Sequence, residues 1–164
     1  MPLFGGALGG RVDHIGLVVG DLEPAMDGYH AAYRAKFGVF EVDERTSVFS
    51  GSSAAYRIRI AVAQVGGVSI ELIQPMEGET LYSRFLASRG PGLHHLGTYV
   101  TSLARSDKEL QRRGYVRLLE GRIRGLGKFG YFEAPELACI VEPLELSLAF
   151  PLFLAKRAKW YPQA

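Results

Sequence analysis

Two short stretches hold the residues best suited to chemistry. The first is Asp13-His14-Ile15-Gly16-Leu17-Val18-Val19, and the second is His94-His95-Leu96-Gly97-Thr98-Tyr99-Val100. Overlaying His14 on His95 puts Ile15 on Leu96, Gly16 on Gly97 and Val19 on Val100. Each histidine is followed, in a β-branched run, by one carboxylate: Glu71 in Val68-Ser69-Ile70-Glu71-Leu72-Ile73, and Glu142 in Ala138-Cys139-Ile140-Val141-Glu142. The intervals are 57 and 47 residues, a difference that loops absorb. A carboxylate in such a run is costly to bury without a partner. Two imidazoles and two carboxylates brought together suit one divalent ion of the zinc, nickel, cobalt, manganese or iron type. Four protein ligands on an octahedral ion leave two adjacent positions, which a substrate with neighbouring oxygens could fill. The ion then acts as a Lewis acid on a carbonyl and stabilises an enolate, and a glutamate accepts the neighbouring proton. Glu142 is the candidate base. His94 aligns with Asp13, and strand alternation points it away from His95 as a strand-edge residue. His30 reads as a surface residue.

The elements that must position these residues follow the same repeat. Residues 11–19 read as a strand, and Asp21 can cap a helix that carries Leu22, Met26, Tyr29, Tyr33 and Phe37 on one face and stops at Gly38. Residues 39–49 form a second strand and 50–53 a loop. Strands at 56–65 and 68–74 flank the turn Gly66-Gly67. A linker over 75–92 contains a short helix at 80–88. The order then restarts: a strand at 94–100, a helix capped by Thr101 or Ser102, and strands at 115–119, 130–133 and 137–144. Residues 1–10 are a flexible, glycine-rich lead-in, and 147–164 form an apolar then basic tail interrupted at Pro151. The chain therefore reads as an α+β duplication of a βαβββ module, at 11–74 and 93–146.

The bulk properties exclude several classes of function. Among 164 residues, 19 are basic and 17 acidic, giving a net charge of +2 and no nucleic-acid surface. The single cysteine, Cys139, precludes an intrachain disulfide and fits a reducing compartment. No secretory signal is legible and no apolar run approaches the ~20 residues of a membrane span, so a cytoplasmic protein is expected. Gly125-Leu126-Gly127-Lys128-Phe129-Gly130 spells G-x-G-x-x-G, but no helix follows it. It reads as a flexible loop over the site, with glycines as hinges, and not as a dinucleotide fingerprint.

On these residues the chain resembles the vicinal oxygen chelate superfamily, which includes glyoxalase I, methylmalonyl-CoA epimerase, extradiol dioxygenases and antibiotic-resistance proteins. The resemblance spans about residues 11–146 and implies eight strands in an open cup around a metal held by His14, Glu71, His95 and Glu142. It also implies a homodimer acting on a small molecule. Ring-cleaving dioxygenases typically use two histidines and one carboxylate, an arrangement that Glu71 would crowd. Resistance-type binding members usually lose the ligands that this chain keeps. The epimerase requires a second base just before the third strand, and an ungapped count places Ala55 there. The resulting expectation is a metal-dependent lyase or isomerase of the glyoxalase/epimerase-like type. A small-molecule binding protein without turnover is the alternative. Arg57, Arg59, Arg122, Arg124 and Lys128 could meet an anionic substrate, or equally serve as solvated rim charges.

Overall fold

Strands β1 (His14–Val18) and β6 (Gly92–Tyr99) lie antiparallel at the centre of a single mixed sheet. The computed structural model describes residues 8–50 and 55–162. Between and around the two central strands the chain runs α1 (Leu22–Tyr33), β2 (Phe37–Asp43), β3 (Ser47–Phe49), β4 (Arg57–Val65), β5 (Val68–Glu77) and α2 (Leu81–Arg89). After β6 come α3 (Leu103–Arg112), β7 (Val116–Ile123), β8 (Gly127–Glu133), β9 (Ile140–Leu146), α4 (Phe150–Arg157) and β10 (Lys159–Tyr161). The sheet order is β10-β2-β4-β5-β1-β6-β9-β8-β7-β3. β5 and β9 run parallel to β1 and β6 respectively, while the outer strands pair antiparallel.

The chain forces this sheet to curl. In a flat sheet β2 and β3 would lie about 38 Å apart, at ~4.8 Å per strand. Only residues 44–46 connect them, and such a link reaches no more than about 14 Å. The two edges must approach one another, which makes a half-barrel cup. The connecting turn is held by Asp43, whose carboxylate accepts from the Arg45 and Thr46 amides at 3.1 and 3.0 Å and from the Thr46 hydroxyl at 2.9 Å. Phe40, Ile58, Phe49, Phe129 and Leu144 fill the inside of the curl. Leu22 and Met26 of α1 pack on Ala61, Ala63 and Leu72 from the opposite face. Each fully buried side chain of the larger type contributes about 1.5–3 kcal/mol.

The α+β cup is as expected, but among the described residues its sheet has ten strands and not eight. The stretch 39–49 is two strands, because the Asp43 turn breaks it and sends β3 to the far edge against β7. The tenth strand comes from the tail, where Trp160 pairs with Gly38. The first helix stops at Arg34, which adopts the left-handed conformation (φ 57°) and donates its amide to the His30 carbonyl. Phe37 and Gly38 therefore belong to β2, and Tyr33 is exposed. Pro151 lies in the first turn of α4 and does not interrupt it, as proline's missing N–H permits. The glycine-rich 125–130 segment is no loose flap: Gly125 and Leu126 turn the β7–β8 hairpin and the rest is strand. Residues 8–10 form a turn, whereas residues 1–7 of the expected lead-in and 51–53 of the expected loop lie outside the described residues. Among the described residues no helix is long and apolar enough to cross a membrane.

Two glycines set the position of the histidines. Gly16 pairs with His95 across β1–β6, and Gly97 with His14. A Cβ on Gly16 would come within 1.9 Å of His95 Cε1, and one on Gly97 within 1.8 Å of His14 Cε1. Each imidazole thus lies over bare backbone of the neighbouring strand. Gly97→Ala is expected to lower stability by about 1–3 kcal/mol, the usual overpacking cost. Gly28→Ala, in α1 with nothing within 4 Å of the added methyl, should raise it by about 0.5–1 kcal/mol. Denaturant unfolding of both variants checks this; equal effects would contradict the close-approach role.

Candidate metal centre

The four sequence-selected residues meet on the concave face of the sheet. Glu71 on β5 lies beside Gly16 on β1, which lies beside His95 on β6. Two residues along, Glu142 on β9 lies beside Gly97 on β6, which lies beside His14 on β1. The two sets are related by a local twofold between β1 and β6. One donor atom from each of His14, Glu71, His95 and Glu142 falls within 4.8 Å of the others. His14, His95 and Glu142 are buried and Glu71 is half-buried.

The charges compensate one another. His14 Nε2 bonds to Glu142 Oε2 at 2.5 Å. His95 Nε2 is 3.3 Å from the same oxygen and 3.2 Å from Glu71 Oε2. Burial works against the charged form of His95, yet the Glu142 and Glu71 carboxylates outweigh it and raise its pKa to about 9. His14 is shifted upward by the same balance of burial against Glu142. Burial would push the Glu142 carboxyl up, but the two imidazoles bring it down to about 2. Among the described residues His95 Nε2, although close to both carboxylates, makes no well-aligned hydrogen bond. A buried nitrogen left over between two carboxylates, with mixed imidazole and carboxylate donors, fits a first-row divalent ion.

His94 departs from its expected position. It is 1% exposed and not at a strand edge. Gly16 pairs with His95 while Leu17 pairs with Leu93, so His94 is an extra, unpaired residue in β6. Such a bulge breaks the alternation and re-aims a side chain, and His94 Nδ1 lies 3.0 Å from His95 Nδ1. Burial keeps His94 neutral, with a pKa lowered to about 3. Tyr82 and Tyr131, joined by a 2.8 Å hydroxyl–hydroxyl bond, complete the floor beside these rings. Tyr82 gave no signal in the sequence beyond being an aromatic residue in the linker helix.

The cluster opens on a cavity of about 50 Å³ lined by Phe40, Tyr99, Phe129, Leu146, Phe150 and Leu154, among others. Among the described residues no lysine or arginine lines it. Arg57 pairs with Glu77 at 2.5 Å, Arg59 with Glu23 at 2.6 Å and Lys128 with Glu145 at 3.1 Å, all away from the cup. Arg122 and Arg124 line an outer groove between β3 and the β7–β8 hairpin. Tyr56 is buried but turned to Ser47, at 2.8 Å, and Ala55 is exposed.

Comparison with known proteins agrees with this geometry. The family model of the Glyoxalase/Bleomycin resistance protein/Dioxygenase superfamily matches residues 13–132. An uncharacterized protein, YqjC of Bacillus subtilis (strain 168), is 29% identical over 110 residues, covering 67% of this chain and 71% of its own. The solved methylmalonyl-CoA epimerase of Mycobacterium tuberculosis superimposes with a TM-score of 0.68 at 22% identity, over 87% of this chain and 92% of that one. A methylmalonyl-CoA epimerase of Streptomyces coelicolor in complex with 2-nitronate-propionyl-CoA gives 0.63 at 19% identity, over 84% and 97%. A hypothetical protein of Bacillus halodurans C-125 gives 0.64 at 23%, over 84% and 94%. With the cup, the central strand pair and the matched family model in agreement, the chain belongs to the Glyoxalase/Bleomycin resistance protein/Dioxygenase superfamily, a group of vicinal oxygen chelate proteins.

Proposed function

We propose that this chain is a metal-dependent isomerase or lyase of the glyoxalase/epimerase-like type, with His14, Glu71, His95 and Glu142 as ligands to one divalent ion. The observation that carries this reading is the buried meeting of two imidazoles and two carboxylates from four different strands. When bound, the ion supplies Lewis acidity toward a carbonyl oxygen of a substrate that presents two neighbouring oxygens. Glu142 is the base, accepting the proton from the carbon beside that carbonyl. Its Oε2 stands between the two imidazoles, and it would accept the proton through an oxygen released from the ion. Aromatic and aliphatic walls exclude water from the transfer.

The small cavity and its lack of cations favour a compact, mostly apolar oxygen chelator over a coenzyme A ester such as the one bound by the Streptomyces epimerase. The exposed Ala55 also supplies no second base, which favours one-base proton transfer over two-base epimerisation. That missing base equally suits binding without turnover. The two are separated by exchange of α-protons into deuterated solvent, followed by NMR over a panel of small 2-hydroxy and 2-oxo carbonyl compounds. The enzyme reading predicts exchange in at least one compound, reduced about 10²–10⁴-fold by Glu142→Gln. Binding with no exchange in any compound would leave sequestration as the function.

The charge state of the site makes a second prediction. His95 gains its extra stability as a cation, so that contribution is complete below pH 6.5 and is lost as the pH rises through about 9. Glu142 contributes above pH 4.5 and loses its contribution as the pH falls through about 2. Metal-free protein should therefore melt highest between pH 4.5 and 6.5 and lower as the pH climbs toward 9. A divalent ion competes with those protons, so saturating zinc should reverse the slope above pH 6.5. Thermal unfolding with chelator and with zinc checks the sign, and parallel slopes would contradict the shared site.

A further inference from the structure

We infer that His94, bulged out of β6, is a positioning residue that fixes which nitrogen of His95 faces the cluster. The inference rests on the metal reading above. The two Nδ1 atoms are 3.0 Å apart, so a single proton lies between them. If His95 is to offer the lone pair of Nε2 to an ion shared with Glu71 and Glu142, its proton must reside on Nδ1. His94 Nδ1 is then the acceptor, and the His94 proton sits on Nε2. The His94 ring is wedged between Tyr82, Phe85 and Tyr131, with centroids 5.2, 5.1 and 5.2 Å away and, among the described residues, no polar partner for Nε2.

The bulge is what permits the contact. In regular alternation residues 94 and 95 would project from opposite faces of β6, whereas the unpaired His94 turns its ring onto the face that His95 occupies. A ligating histidine commonly donates its second N–H to a carboxylate, a backbone carbonyl or water. Here the acceptor is a neutral imidazole. The arrangement is also one-sided, since His14 Nδ1 has no such partner and Asp13, the counterpart of His94, instead accepts the Tyr99 amide at 2.8 Å.

The test measures zinc affinity by competition with a chromophoric chelator for the intact wild type, His94→Phe and His94→Asn. The Phe variant keeps the aromatic packing and removes the acceptor, and should bind zinc about 10–100-fold more weakly. Asparagine fills the space less well but offers an oxygen where Nδ1 stood, so it should recover most of the loss; a role in packing alone predicts the opposite order. Phe binding as tightly as the wild type, or Asn no tighter than Phe, would overturn the inference. A wild type that binds no zinc would overturn the metal site and this inference with it. Long-range proton–nitrogen NMR of zinc-loaded wild type decides the matter even if a variant fails to fold. The proton is expected on His95 Nδ1 and His94 Nε2, and any other tautomer pair contradicts the role.

Discussion

The antiparallel pairing of β1 with β6 is the constraint on which the rest depends. It sets His14 against Gly97 and Gly16 against His95, and so brings both imidazoles to one face over glycine backbone. The parallel partners then deliver the carboxylates: β5 places Glu71 beside Gly16, and β9 places Glu142 beside Gly97. Because side chains alternate with a period of two, a slip of one residue in any of these pairings would turn one of the four side chains out of the cup. The apolar residues inside the curl, from Phe40 to Leu144, hold the same register. Core packing and site assembly are thus one requirement.

Electrostatics explains why such a set can remain buried. An isolated carboxylate in a β-branched strand would carry a large desolvation cost. Glu142 is instead flanked by two imidazoles, and each imidazole by a carboxylate, so every charged form has a compensating neighbour. The twofold stops at the adjoining residue. One half has a bulge and a buried histidine beside its ligand, while the other has regular pairing and an aspartate held by backbone. A duplicated frame with one modified half allows the two histidines to differ in environment.

The four residues that meet in the cup were legible because repetition converts single residues into a pattern: His-x-Gly twice, each followed by a glutamate inside a β-branched strand. The overlay also made Gly16 and Gly97 equivalent, although only the fold reveals that each faces and accommodates a histidine ring. His94 was misjudged because alternation assumes an unbroken ladder, and nothing in Gly92-Leu93-His94-His95 announces an extra residue. Residues 39–49 read as one strand since they lack glycine or proline between Gly38 and Ser50. The turn signal was Asp43 three residues before Thr46, a polar pair able to close on itself. The end of the first helix was hidden for a similar reason: Arg34 takes a left-handed conformation that its side chain does not advertise. Trp160 and α4 were obscure because their partners, Gly38 and Phe40, lie more than a hundred residues away.

Two imidazoles and two carboxylates from four strands are proposed to hold one ion. X-ray absorption of the protein loaded with one equivalent of zinc reads that donor set directly. The expected spectrum shows nitrogen and oxygen neighbours only, with outer scattering from two imidazole rings, and loss of one ring's scattering in His14→Ala. A sulfur neighbour from Cys139, or a spectrum unchanged by His14→Ala, would contradict the proposal.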